Sequence, residues 1–345
     1  MRNVVRLFLA IFLIAGGQFL FATGGQEEES TAVAAEEPTV EPVVLQVGHI
    51  FPTSHVVHRS LEAMADFVEG ETNGGLVLEI FPLGQLGKGA NLSENVMLGT
   101  VDMATAGPGL LSNLEPSFGI WGAEYVFEDV DGLFAVVDSD VGEEIFERLR
   151  TGRGLRVIGV GYLGARHLTT SDTPVETPAD LQGLKIRTPP IPYRQAAFTA
   201  MGASPTPMAF AELYLGLQQG VVDGQENPLP QIVSMKFYEV QNYLMLTGHA
   251  QNPEMLIIND DRFESLSADY QDVIVRAGHE VFGTMSRELS EQESAELLRQ
   301  LKEDHGMTVI EPNLQAFRDA VADVPGQFTE QWGEGIYQRV MESQR

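Results

Sequence analysis

The sequence predicts an α/β protein, a sheet with parallel strands and crossover helices, arranged as two lobes bridged by one long helix. Two observations carry this expectation. Short apolar runs alternate with stretches of helical period through residues 43–259, the signature of βα units. Residues 267–306 then run without proline, with Ile274, Val281, Met285, Leu289, Leu297, Leu298 and Leu301 near helical spacing. About 38 helical residues would extend roughly 57 Å, more than one small domain is wide.

The elements follow in order. VVLQVGHI (43–50) opens the first unit, and RSLEAMADFVEGET puts Leu61, Met64, Ala65 and Val68 on one helical face before Asn73-Gly74-Gly75 stops it. LVLEIF (76–81) is a strand, SENVML (93–98) a helix and VDMATA (101–106) a strand. The second unit has strands at RVIGVGYL (156–163) and LKIRTP (184–189), with helices at YRQAAFTAM (193–201) and MAFAELYLGLQQ (208–219). Gly220 suits the left-handed C-cap. A strand at VVD leads into the loop GQENP, and EMLIIN (254–259) is a further buried strand.

Composition bounds the function. The 345 residues are 43% hydrophobic and 20% charged, enough for two ordinary domains. Arg2 and Arg6 precede the apolar run 7–17, and QFLFA follows, ending in Ala22. That pattern describes residues 1–22 as an export signal cleaved near Ala22, too short for the roughly 20 residues of a spanning helix. Residues 23–42 are small, acidic and proline-punctuated, a disordered tether. The chain has no cysteine, which removes disulfides, thiolate chemistry and a lipid anchor on cysteine. A periplasmic protein without a lipid anchor is the expectation. Removing residues 1–22 leaves 19 basic residues against 49 acidic ones, a net charge of −30. Such a chain does not hold nucleic acid electrostatically, and any arginine in an apolar setting stands out.

Several motifs invite a function. GVGYLG (159–164) has dinucleotide-site spacing, but ARHLTTSDTP follows where a helix should begin, so close backbone packing or a strand exit is the better reading. GQLGKG (84–89) lacks the spacing and the hydroxyl residue of a phosphate loop. His49, His55 and His58 lie close together without a nearby carboxylate to complete a metal set. A ligand contact, a surface role or a cap remain open for them. VVDGQENP (221–228) lacks the glycine and distant glutamate of a calcium loop. Ending a strand, it would place Asn227 to read hydroxyl or carboxylate oxygens, with an ordinary turn as the alternative. Arg187, at the end of an apolar strand, and Arg166, in the turn after RVIGVGYL, could each hold a carboxylate bidentately or serve a structural ion pair.

Residues 183–244 resemble the solute receptors of tripartite ATP-independent periplasmic (TRAP) transporters, the DctP-type family. GLKIR, GASPTPMAF, LQQGVVDGQENP and KFYEVQ occur in the family's order and separations. FPLGQLG, LGTVDMA and the long helix extend a weaker likeness over 43–345. The resemblance implies a two-lobed periplasmic binding protein fold, with crossing strands and a lobe-bridging helix, closing on one organic anion. It divides the chain into lobe I (43–163 plus 253–292) and lobe II (164–252 plus 293–345). Arg187 matches the arginine that grips the ligand carboxylate, and Asn227 the asparagine on the same group. Arg166 matches a second arginine, and Phe210 an aromatic that packs on the ligand. His55 is a candidate for the distal contact. GKGANL (87–92), ATAGPG (104–109) and HIFPTSH (49–55) lack residues that sialic-acid receptors carry there. The solute is therefore expected to be a C4-dicarboxylate or a sugar acid such as a uronate.

The resemblance thus implies a monomeric receptor, not an enzyme, without metal or cofactor, delivering its solute to integral membrane TRAP subunits. An extracytoplasmic lyase or hydrolase using His55, and a sensor for a membrane kinase, are the alternatives.

Overall fold

The computed structural model describes residues 41–344; the expected export signal and nearly all of the tether lie outside them. Nine strands, β1 (Val43–Gly48), β2 (Leu76–Phe81), β3 (Met103–Ala106), β4 (Leu155–Thr170), β5 (Lys185–Thr188), β6 (Ser204–Pro207), β7 (Gly224–Pro228), β8 (Tyr243–Asn259) and β9 (Thr308–Ile310), join in one sheet among the described residues. Their spatial order is β2-β1-β3-β8-β4-β7-β5-β6, with β9 paired to β8.

At either end of the sheet the pairing is parallel, as alternating strands and helices require: β1 with β2 and β3, and β5 with β6 and β7. The centre differs. β4 and β8 run antiparallel to each other, and β3 and β7 pair antiparallel to them. β4 and β8 are 16 and 17 residues long, about two and nearly three times the strands expected at 156–163 and 254–259. Gly164, Gly248 and Pro253 look like strand ends in sequence, yet the ladder passes through them by register shifts. Such bulges bend a strand without ending it, and Gly164 takes a φ of +95° that favours glycine. Residues 155–162 of β4 thus pair with the end of β8 beside β3, and residues 166–170 lie beside β7. Both long strands cross from one half of the sheet to the other.

Two expectations are corrected here. Arg166 lies within β4, not in a turn after it. VVD is a turn and GQENP is itself the strand, β7, paired through Asn227 to His167 and through Gln225 to Arg187.

Helix α1 (Val56–Glu71) starts on His55, whose ring caps the Val57 N–H, and buries Val57, Leu61, Met64 and Val68. Residues 268–304 form one helix, π-helical over Ala277–Gly283 and Gln300–Asp304. The first widened turn lies where the helix meets β4. A Cβ on Gly278 would lie 2.0 Å from the Ile158 carbonyl oxygen, and one on Gly159 2.4 Å from that of Gly278. The glycines of GVGYLG therefore let helix and strand backbones touch, the packing role expected of them.

The long helix spans two cores. Ile274 and Phe282 join Leu45, Leu61 and Ile258 beneath β1–β3, whereas Leu301 joins Leu217, Ile232 and Phe237. A third core holds Phe118, Trp121, Phe198 and Trp332. No helix among the described residues is long and apolar enough to cross a membrane.

Candidate ligand-binding site

Where the long strands cross, two arginines and a histidine gather around one carboxylate. Glu226 of β7 is fully buried. Arg166 donates from Nε to its Oε2 at 2.5 Å, and from Nη2 to its Oε1 at 2.9 Å and its backbone oxygen at 2.7 Å. Arg194, from helix Pro192–Ala200, donates from Nη1 to Glu226 Oε2 at 2.6 Å and from Nη2 to the Gly122 carbonyl at 2.6 Å. His249 Nε2 lies 3.1 Å from the same carboxylate oxygen. Burial alone would push the Glu226 carboxyl up, but Arg166, Arg194 and His249 together hold it well below the usual range. The Arg194 Nε is 3.1 Å from Glu124 Oε1 without hydrogen-bond alignment, and burial pushes Glu124 up to about 7 against that guanidinium.

Arg187 is different. It sits in β5, 2% exposed, and donates from Nε (2.9 Å) and Nη2 (2.7 Å) to the Met208 carbonyl. Among the described residues no carboxylate pairs with it, and burial draws its pKa down to about 9. A guanidinium taken out of water without an anion is costly. Counting Arg166, Arg187 and Arg194 against Glu226 and a partly protonated Glu124, the cluster carries surplus positive charge.

The other expected residues surround this charge. Asn227 accepts from Arg166 Nη2 at 2.9 Å and donates to Gln225 Oε1 at 2.5 Å. Phe210, in the turn Phe210–Glu212, lies 6.0 Å from the Arg187 guanidinium carbon. Its ring meets Phe51 edge-on at 6.2 Å, and Phe51 stacks on His55 at 4.1 Å. Thus Arg187, Phe210, Phe51 and His55 form a row that starts in β5 and ends at α1. His55 is 2% exposed, and burial together with His49 lowers its pKa to about 3. His49 and His58 face each other, Nε2 to Nδ1 at 2.9 Å, and His49 Nδ1 accepts from the Phe51 N–H. No cluster of three metal-ligating side chains occurs among the described residues.

Sequence reasoning missed Arg194, Glu124, His249, Gln231 and Glu254. Arg194 carried the signal used for Arg187, a lone cation in an apolar segment. Glu254, in β8, is 4% exposed, and burial pushes its carboxyl up to about 8. His249 was hidden in a segment that resembles a loop, and Glu254 opened the expected strand EMLIIN without being singled out.

A sheet crossed by two long strands, spanned by one helix and centred on a surplus cation defines a two-lobed binding protein. Residues 47–331 match the family of bacterial extracellular solute-binding proteins, family 7 (DctP), and the chain belongs to it. It is 33% identical over 304 residues, 88% of this chain and 90% of the relative, to the 2,3-diketo-L-gulonate-binding periplasmic protein YiaO of Escherichia coli. Among solved structures it resembles a TRAP periplasmic solute-binding protein of Roseobacter denitrificans with bound L-galactonate (TM-score 0.81, 33% identity, 87% of this chain and 98% of that one). Another, from a Polaromonas species and bound to D-erythronate, gives a TM-score of 0.82 at 32% identity, with 87% and 98% covered. The family comprises substrate-binding receptors of TRAP transporters.

Proposed function

We propose that this receptor binds a sugar acid as a monocarboxylate, with Arg187 holding the carboxylate. The observation that carries the reading is the desolvated Arg187 guanidinium, which has no anion of its own among the described residues. Its second nitrogen edge is not used by the Met208 carbonyl, and a carboxylate accepts two parallel bonds from such an edge. Asn227 would complete the anion's shell. Arg166, already bonded to Glu226 and Asn227, would orient that asparagine and add to the positive field. Phe210 would cover the apolar face of the carbon chain, and His55 would meet the distal end.

The charge distribution favours a sugar acid over a C4-dicarboxylate. A second carboxylate needs a second cation, and the ring at the far end of the row from Arg187, His55, is neutral. It suits a hydroxyl. Relatives that bind L-galactonate and D-erythronate support the same class. The protein would do no chemistry on its solute. Its two halves, the lobe around β1–β3 and the lobe around β5–β7, would close on the acid and present it to the membrane subunits as a periplasmic monomer.

A melting-temperature screen over sugar acids, dicarboxylates and their neutral amides tests the proposal. Ligand a hundredfold above Kd adds about 2.7 kcal/mol, a shift of a few degrees in a chain of this size. Sugar acids are expected to stabilise and their amides not to. Stabilisation by dicarboxylates alone, or by no acid at all, contradicts it.

A further inference from the structure

Two rings from opposite halves of the sheet meet beyond Arg187. Phe51 follows β1 on one half and Phe210 follows β6 on the other, and their rings touch edge-on with centres 6.2 Å apart. Phe51 is fixed in place. It is 5% exposed in the core beneath β1–β3, and its ring lies nearly parallel to His55 (7°) at 4.1 Å. Its N–H donates to His49 Nδ1 at 3.3 Å, and its carbonyl accepts from the Leu83 N–H at 3.1 Å. Swinging the ring aside would leave a cavity in that core. Phe51 and His55 therefore act as one stacked block at the end of the row.

The block stands at a short reach from the cation. One step of 6.0 Å leads from the Arg187 guanidinium carbon to the Phe210 ring centre and one of 6.2 Å on to the Phe51 ring centre, so Phe51 is at most about 12 Å away. A carboxylate held by two parallel bonds keeps its carbon about 4 Å from the guanidinium carbon. An extended chain advances about 1.3 Å per carbon–carbon bond, and its last carbon stops about 3.6 Å from a ring. An acid of four carbons then needs about 11 Å and one of six carbons about 14 Å.

We infer that Phe51 gauges the length of the solute, so that the site takes open-chain hydroxy acids of about four carbons and rejects those of six. This rests on the reading of Arg187 as the carboxylate anchor, with the chain lying over Phe210. A longer acid holds Phe51 and Phe210 apart, and the two halves with them, so its carboxylate contact and the meeting of the rings are not made together.

Titration calorimetry with D-erythronate, D-ribonate and D-allonate tests this, a four- to six-carbon series with one configuration at every hydroxyl; L-galactonate is the fourth probe. The proteins are the wild type, Phe51→Ala and Phe51→Leu, the last keeping an apolar side chain in the core where alanine fails to fold. The wild type should bind D-erythronate roughly tenfold to a hundredfold more tightly than D-allonate. The variants should narrow or reverse that ratio, because the longer acids gain where the ring is removed. Wild-type binding of D-allonate or L-galactonate as tight as that of D-erythronate overturns the inference and leaves the carboxylate anchor standing. So does an equal loss for all four acids in the variants, which would make Phe51 a packing residue only. If none of the four binds, the inference fails, and the melting-temperature screen decides whether the sugar-acid reading fails with it.

Discussion

Arg166 and Glu226 are joined three times over: Nε and Nη2 of the guanidinium each reach one carboxylate oxygen, and Nη2 also binds the glutamate's own backbone oxygen at 2.7 Å. Since Arg194 holds the same carboxylate from another side, Glu226 is the anion that makes two buried cations tolerable. Glu226→Gln keeps the shape and removes the charge, leaving both guanidiniums underpaired. Breaking a buried pair costs roughly 3–5 kcal/mol. Urea unfolding of the ligand-free variant should show a loss of that order, and a loss below about 1 kcal/mol would mean that water already reaches the cluster.

Stability should peak near pH 6.5. Burial holds His49, His55 and His167 at about 3 and His249 at about 4, against an ordinary 6.5. The unfolded chain therefore takes up protons that the folded chain refuses. The stability is present above about 6.5 and is lost as pH falls toward 3–4, at about 1.4 kcal/mol per pH unit for each ring. Glu254 acts in the opposite sense. Its folded pKa is raised to about 8 from 4.5, so its contribution is present below 4.5 and is lost as pH rises through 8. Glu254→Gln should flatten the fall of a calorimetric melting profile between about 6.5 and 8 and steepen its rise between 4.5 and 6.5. An unchanged alkaline side would show that Glu254 titrates normally.

The meeting of Gly278 with β4 should not tolerate a methyl group. Alanine at 278 would put Cβ 2.0 Å from a backbone oxygen, and neither the helix nor the crossing strand can withdraw without losing its ladder. Gly278→Ala should lower the melting temperature sharply, whereas Gly70→Ala, with nothing within 4 Å of its Cβ, should be neutral or slightly stabilising. Equal melting temperatures would contradict the close approach.

These residues also show what the sequence could disclose. The helical period of 267–306 and the alternating runs at either end of the sheet were legible because each element buries one apolar face. Arg187, Phe210 and Asn227 stood out through their motifs, and the structure brings them to one place. The resemblance implied crossing strands, but local pattern did not show their extent, since Gly164 and the TGHAQNP segment of β8 read as loops. Only pairing with distant partners makes them strands. Glu124 and His249 were invisible for the same reason: nothing near them in sequence indicates that they meet Arg194 and Glu226. The length of β4 also decided the position of Arg166, which local pattern assigned to a turn.

The most direct test of the central claim is titration calorimetry of Arg187→Ala and Arg187→Lys beside the wild type, with a sugar acid that stabilises the wild type. The account predicts a loss of affinity of hundreds-fold or more in the alanine variant, the equivalent of about 3–5 kcal/mol. Lysine should do nearly as badly, because it lacks the planar fork. The ligand-free alanine variant should melt no lower than the wild type, since a buried cation without an anion has been removed. Wild-type affinity in Arg187→Ala, together with a lowered melting temperature of its ligand-free form, would make Arg187 a structural residue and contradict the account.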